Sequence, residues 1–495
     1  MAGEFGGVNV EVITRRQFAH QALFAAATLG GRPLNALAGA CRIPETGDQN
    51  ATQPDAGAIR KLTLQISGRV ITPETPEYEA TRQVFNSAFD RRPALIVRCA
   101  SASDVARSLD FAQTNNLPLA VRGGGHSRLG YGMCDGGLVI DLSGMNRVEV
   151  DANKRVARAQ PGALVRDLDQ ATQRFGLATT SGGCPTVGIA GLTLGGGEGQ
   201  LMSKYGAACD NLVRAEFVTV DGRQVEASQN SNPDLYWAIR GGGGNFGIVT
   251  ALEYRLHPLT EVLAGSLTFP GGRIPELLQA FVKLVKAAPD GMSVVGSVLP
   301  SEQGTRFQML FLHCDDPRQG NELLRPLRAL KPQEDNVRVE SYLQAQEAAF
   351  LRTPVAHFQT DLFLPELTAG AIERITTATN DSPPNNKVFL VPLYGAISRV
   401  PVSDMAFALR QPGYEVDIVS TWSAQEEKAG AVQWVKSLRD ELKPFAHGVY
   451  VNQLGETGEE LVRSAYGSNY ARLAEIKKKY DPHNVLRLNQ NIRPA

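Results

Sequence analysis

An α+β fold in two parts is predicted for this 495-residue chain by three observations. A strand–helix–strand pattern ends in a loop of three consecutive glycines, Arg122-Gly-Gly-Gly-His-Ser127. A second glycine-rich stretch, Ser181-Gly-Gly-Cys-Pro-Thr-Val-Gly through Gly199, reads as a partner for that loop. From about residue 260 the glycine loops stop, and apolar runs alternate with helical stretches, which fits a sheet covered by helices.

In chain order, residues 51–76 form a polar lead-in with one strand or turn at 62–70. Residues 77–85 read as a short helix and 93–98 as a strand. Ser101 and Ser103 are caps for a helix over 104–115, with Val105, Leu109 and Ala112 on one face. A strand at 117–121 closes the βαβ unit and delivers the first loop. Strands at 138–142 and 155–159 follow, then a helix over 161–175 that starts near Pro161 and stops at Gly176. Asp221-Gly222 joins strands 213–220 and 224–227 as a hairpin. A brief helix at 233–239 leads into a third glycine segment, Arg240 to Thr250. In the second part, strands are expected at 294–299, 307–312 and 388–393, and helices at 274–288 and 426–442. A last helix runs through Lys479. No internal repeat is evident.

Composition narrows the class. With 43% hydrophobic and 20% charged residues the chain reads as an ordinary globular protein. A net charge of −1 gives no electrostatic ground for nucleic acid or acidic lipid as partner. Six cysteines in so long a chain do not make a disulfide scaffold. Cys99, Cys134, Cys209 and Cys314 read as buried thiols, with one bridge left open. No apolar run is long enough for a membrane span, and no metal site is expected. Residues 1–50 read as a leader. Thr14-Arg15-Arg16-Gln17-Phe18, an apolar run and Ala38-Gly-Ala40 resemble a twin-arginine export signal, which implies a periplasmic or extracellular protein. Arg32 and Pro33 interrupt the apolar run, and the alternative is a leader that stays attached to a cytoplasmic protein.

The loops carry the chemistry. Glycines straight after a strand let several backbone N–H groups converge, a nest suited to a pyrophosphate. One loop ends in His126 and the other holds Cys184, so a large phosphate-bearing cofactor gripped from two sides is the direct reading. A nicotinamide dinucleotide would need G-x-G-x-x-G opening a helix, with an acidic residue about twenty positions on. The run at 195–199 lacks that helix, and the segment at 240–247 leads into a strand.

These motifs resemble the flavin-binding loops of the berberine-bridge-enzyme-like FAD-linked oxidases, in the vanillyl-alcohol-oxidase superfamily. The likeness covers 92–258 and returns at 450–494 through Tyr450-Val-Asn452, Tyr466-Gly-Ser-Asn-Tyr470 and Tyr480-Asp-Pro-His-Asn484. It implies a PCMH-type FAD-binding domain of two α+β subdomains at 51–260. A substrate domain at 261–447 would have an antiparallel sheet covered by helices, and a segment at 448–495 would complete the FAD domain. It also implies FAD attached twice, through its 8α-methyl to His126 and through C6 to Cys184. Further cofactor contacts are implied at Arg122, Gly123, Gly124, Gly125, Ser127, Gly183, Thr186, Val187, Gly188, Gly191 and Gly195. Asn245, Gly247, Ile248, Val249, Asn452, Asn489 and Asn491 complete that set. Valine at 187 stands where the resemblance implies reactivity with O2. The stretch 394–410 departs from the family at Ala408-Leu409-Arg410, where relatives often carry Pro-His-Arg.

The resemblance makes Tyr450 the candidate base and Tyr394 a second, substrate-side candidate. A phenol with pKa near 10 needs a cation or hydrogen bonds to act as a base at neutral pH, and the sequence identifies no such cation. The alternative for Tyr450 is a packing ring. The function implied is an oxidase that transfers hydride from a hydroxyl-bearing small molecule to the flavin and passes electrons to O2, giving H2O2. The rival is oxidation of a C–N bond, or oxidative cyclisation of an alkaloid-like metabolite. The oligomeric state is not legible in the sequence. A nicotinamide dehydrogenase and a non-catalytic binding protein are the readings from other classes.

Overall fold

A computed structural model describes residues 54–301, 304–348, 353–380 and 382–495. The export reading falls on residues outside them. The glycine loops hang from two sheets. The first has the order Arg69–Ile71, Leu95–Arg98, Leu138–Asp141, Leu119–Arg122. Leu95–Arg98 and Leu119–Arg122 each pair parallel with Leu138–Asp141, so the βαβ unit is split by a later strand rather than closed directly. The physical reason is burial. Leu138–Asp141 is buried at every position, and a strand covered on both faces belongs in the middle. Helix Ala102–Thr114 covers this sheet. Ser101 accepts from the Asp104 amide as its cap, and Val105, Leu109 and Ala112 pack against Leu95, Val97 and Ile140.

Two early expectations change. Residues 62–70 are split between helix Ala56–Gln65 and strand Arg69–Ile71, because Asp55 caps the helix through the Gly57 and Ala58 amides and Leu62 is buried. The helix expected over 77–85 is the single turn Tyr78–Thr81.

The second sheet runs Val148–Asp151, Val156–Ala159, Ile248–Arg255, Leu212–Val218, Gln224–Ser228, antiparallel throughout. Its hairpin turns at Asp221-Gly222, where Gly222 has φ +80°. The helix expected from Pro161 begins four residues later, as Val165–Gln173, because Asp167 folds back to accept from the Leu164 amide at 2.8 Å. Gly176 stops it with φ +63°, as expected.

The third sheet is the large one. Glu261–Pro270, Arg306–His313, Met292–Leu299, Asn386–Leu393, Gly413–Trp422 and Ala356–Leu364 lie side by side, every pairing antiparallel. Alternation sorts its residues. Val294, Val388, Leu390, Val416 and Ile418 pack under helices Ile274–Lys286, Ala369–Thr379 and Lys428–Leu442. The residues between them point to the opposite face, toward the glycine loops.

The chain then returns. Tyr466, Tyr470, Leu473 and Ile476, from helices Glu459–Tyr466 and Tyr470–Tyr480, share a core with Leu235, Trp237 and Leu252. Lys477 is fully buried in that return, bonded to Asp481 Oδ2 (2.7 Å), the Asn245 carbonyl (2.8 Å) and the Leu486 carbonyl (3.0 Å). Cys99, Cys134, Cys209 and Cys314 are buried thiols, and there is no disulfide among the described residues. None of the described helices is long and apolar enough to cross a membrane.

Candidate flavin site and its carboxyl wall

The two glycine loops meet backbone to backbone. A Cβ on Gly124 would lie 2.3 Å from the Gly188 amide nitrogen, and a Cβ on Gly188 would lie 2.3 Å from that of Gly124. No side chain fits there. Gly125, at φ +73°, turns the first loop so that the His126 ring stacks on Phe85, with centroids 4.0 Å apart. Thr186 Oγ1 lies 3.1 Å from His126 Nε2 and 3.3 Å from Cys184 Sγ, so one hydroxyl links the two candidate attachment residues. Burial, then the charges of Arg128 and His357, lowers the His126 pKa to about 3, and the imidazole is neutral at physiological pH.

These loops form one side of a cavity of about 500 Å³. Of the sequence-predicted residues, Gly123, Gly124, Gly125, His126, Ser127, Gly183, Cys184, Val187, Gly188, Gly191 and Gly195 line it. So do Asn245, Gly247, Ile248, Val249, Tyr450, Asn452 and Asn489. Three do not. Thr186 stands behind the wall as the bridge just described, and Asn491 is not a lining residue. Tyr394 is turned away, its hydroxyl donating to the Met292 carbonyl at 2.5 Å. Arg122 lines the cavity, but its guanidinium is bound to Asp141 (Nη2–Oδ2 2.6 Å, Nε–Oδ1 3.1 Å) and serves the strand end. Burial alone would raise the Asp141 carboxyl, and Arg122 outweighs it and holds the pKa below its ordinary value. At the departure from the family pattern, Arg410 makes the same kind of buried two-point pair with Asp210 (2.6 and 2.8 Å).

The opposite wall was missed by the sequence reading. On strand Gly413–Trp422, Glu415 and Asp417 are two apart and line the cavity together. Glu198 joins them from the glycine run 195–199. Asp417 lies directly across from Asp361 of the neighbouring strand, a like-charged pair that disfavours double ionisation. Burial, opposed by Arg128, raises Asp417 to about 6. Burial raises Glu198 to about 7, with a hydrogen bond to Glu415 opposing and the Asp417 charge adding. Asp361 and Glu415 are pushed well above the carboxylate range by burial and by their acidic neighbours.

Tyr450 sits between the walls. Its hydroxyl oxygen accepts from the Gly197 amide and from Asn452 Nδ2, both at 2.9 Å, and its ring meets Phe407 edge-on. Burial, then Glu198 and Glu415, raises its pKa well above 10. Among the described residues, Arg128 is the one cation whose charge reaches the phenol, and burial with the two acidic neighbours outweighs it. With both lone pairs engaged, the phenol's one proton is free to be donated.

The loop wall fits FAD. Gly191 and Gly244 line the cavity with open space where a Cβ would stand, which lets a flat ring system approach the backbone. The buried Asn489 Oδ1 has no partner in the protein, and its Nδ2 is fixed by the Gly244 and Leu486 carbonyls, so an acceptor is presented to a polar ligand chain. Comparison with known proteins agrees. The FAD binding domain family matches residues 93–228, and the family described as berberine and berberine like matches residues 449–493. An uncharacterised FAD-linked oxidoreductase of Bacillus subtilis is 31% identical, over 87% of this chain and 98% of its own. The chain belongs to the berberine-bridge-enzyme-like FAD-linked oxidoreductases.

Within that family, (R)-6-hydroxynicotine oxidase of Paenarthrobacter nicotinovorans is 32% identical, over 87% of this chain and 98% of its own. The crystal structure of 6-hydroxy-D-nicotine oxidase from Arthrobacter nicotinovorans superposes with a TM-score of 0.81 at 30% identity, covering 87% of this chain and 99% of the other. Berberine bridge enzyme from Eschscholzia californica, at 23% identity and a TM-score of 0.81, shares the fold, covering 88% and 99%. FAD-linked oxidoreductase membership and the α+β fold with a large antiparallel sheet are thereby those expected from the sequence.

Proposed function

We propose that this protein is an FAD-linked oxidase that oxidises a small molecule at a carbon bearing a hydroxyl, with O2 as acceptor and H2O2 as product. One observation carries the reading: a glycine cradle with His126 and Cys184 on one side of a single cavity, and ionisable carboxyls on the other. His126 and Cys184 would hold the flavin covalently, and Asn245, Asn452 and Asn489 would contact it. When bound, FAD supplies the acceptor for the substrate's hydride and returns the electrons to O2. The protein supplies the proton acceptor. Asp417, ionised above about pH 6, takes the substrate O–H proton, and the Tyr450 phenol orients the substrate oxygen by donating to it. This replaces Tyr450 as base, because two acidic neighbours oppose its phenolate. Tyr394 keeps no role at the reacting atoms, since its hydroxyl is committed to Met292.

A second reading, oxidation of a C–N bond, is favoured by the lining itself. Glu198, Glu415 and Asp417 suit a basic nitrogen, and one relative is named for 6-hydroxynicotine. The test starts with acid precipitation of the pure protein. Yellow colour retained in the pellet, with dinucleotide mass mapped to His126 and Cys184, is expected. A colourless pellet removes covalent attachment. Anaerobic bleaching by a panel of alcohols, sugars and amines, followed by peroxide release in air, then separates the two readings. Bleaching by amines alone would overturn the hydroxyl donor.

A further inference from the structure

The 3-10 turn Val451–Gln453 brings one amide to the carboxyl wall. Gln453 Oε1 accepts from Arg128 Nε at 3.0 Å and from Gln359 Nε2 at 2.9 Å, while Gln453 Nε2 donates to Asp417 Oδ2 at 3.1 Å. All four side chains line the cavity. The guanidinium fixes the amide's orientation. Arginine only donates, so the atom beside it must be the oxygen, and the NH2 group must then face Asp417. Arg128 acts on Asp417 through space, and the amide set between them adds a donor that the guanidinium polarises. Asp417 Oδ1 has no partner in the protein.

We propose that Gln453 is a positioning residue: by donating to Asp417 Oδ2 it fixes that carboxylate's orientation on the cavity wall and favours its ionised form. This rests on the reading of Asp417 as proton acceptor. The charged and titratable groups around Asp417 come from four elements. Asp361 stands opposite on Ala356–Leu364, and Glu415 is on its own strand. Glu198 comes from the glycine run, and Arg128 from the loop after His126. Three of these four disfavour a second negative charge. The charge of the fourth, together with the amide donor it polarises, favours the ionised form of one carboxylate in such company.

The decisive variants are Gln453→Glu, which keeps the acceptor for Arg128 and removes the donor to Asp417, and Gln453→Met, which removes both without adding charge. Two readouts are taken on flavin-loaded protein. The first is an infrared titration, without substrate, of the carboxyl band that disappears in Asp417→Asn. Its midpoint, about 6 in the native protein, should rise by about one unit in both variants. The second is the pH profile of anaerobic flavin reduction. The rate should fall about twofold at pH 7 and nearly tenfold by about pH 5, and recover as pH rises above 7, with unchanged flavin content. If the variants fold poorly, Gln359→Leu removes one of the two donors to Oε1 and should move both readouts the same way by less. An unmoved infrared midpoint, or a rate loss equal at every pH, overturns the proposal. If Asp417→Asn reduces flavin at the native rate, the reading of Asp417 fails, and the infrared midpoint still decides whether Gln453 sets its ionisation.

Discussion

The glycine-loop wall of the cavity and the sheet wall facing it are built on opposite plans. The loop wall offers backbone. Its specificity lies in what is missing, since Gly124 and Gly188 touch with no room for a methyl group between them. The sheet wall offers side chains on a rigid register, where alternation alone puts Glu415 and Asp417 in the cavity and Val416 and Ile418 in the core. The loop side holds a cofactor by shape. On the function proposed above, the sheet side manages a proton by charge, and its carboxyls are tuned by burial, by one another and by Arg128.

Substitutions on each wall should therefore fail differently. On the sheet wall, Asp417→Asn should cut anaerobic flavin reduction on the order of 10²–10⁴-fold in stopped flow while the flavin stays attached. A flavin-free product would instead give that residue a structural role. On the loop wall, Gly124→Ala forces a methyl group against backbone that cannot yield. It should cost about 1–3 kcal/mol in denaturant unfolding and lower the flavin-to-protein ratio, and a normally loaded variant would contradict the contact. Between the walls, Tyr450→Phe should slow reduction about tenfold without moving its pH midpoint, the scale of one lost neutral hydrogen bond. A loss as large as that in Asp417→Asn would restore the phenol as base.

The smallest expected effect lies behind the Cys184 loop. Among the described residues, the buried Asp169 carboxyl has Ser181 Oγ (2.7 Å) and Gln346 Nε2 (3.0 Å) as its side-chain donors, and burial raises it to about 7. A carboxyl whose folded pKa exceeds its unfolded value binds a proton preferentially in the folded state. Its contribution to stability is therefore present at low pH and is lost as pH rises from about 4 toward 7. Asp169→Asn should flatten the decline in Tm between pH 5 and pH 8. An unchanged slope would show that another group sets it.

How much of this was legible follows the same division. The loop wall could be read because glycines, a histidine and a cysteine at fixed spacing are unusual in any sequence. The Ser101 cap and the Asp221-Gly222 hairpin were readable for the same reason, being local. The order of the first sheet was not, because only three-dimensional burial puts Leu138–Asp141 in its centre. Nor was the carboxyl wall. In sequence, Glu415 and Asp417 alternate with valine and isoleucine as on any half-exposed strand. The sole available signal was the alternation Tyr414-Glu-Val-Asp-Ile418, with two acids on one side, in a stretch where no strand is expected from the sequence. The residues that give them meaning, Arg128 and Gln453, are far apart in the chain and meet only in the fold.

The buried ammonium of Lys477 has a consequence in time. Its three bonds tie the third glycine segment, at Asn245, to Leu486 and Asp481 near the C-terminus, and Leu488 and Asn489 just beyond them line the cavity. The cavity is therefore complete only once residues 481–489 have packed back against the third glycine segment, long after the glycine loops themselves have been made. A polypeptide ended at residue 476 should accumulate pale and protease-sensitive. A yellow one would mean that the tail is a lock added to a pocket already shut.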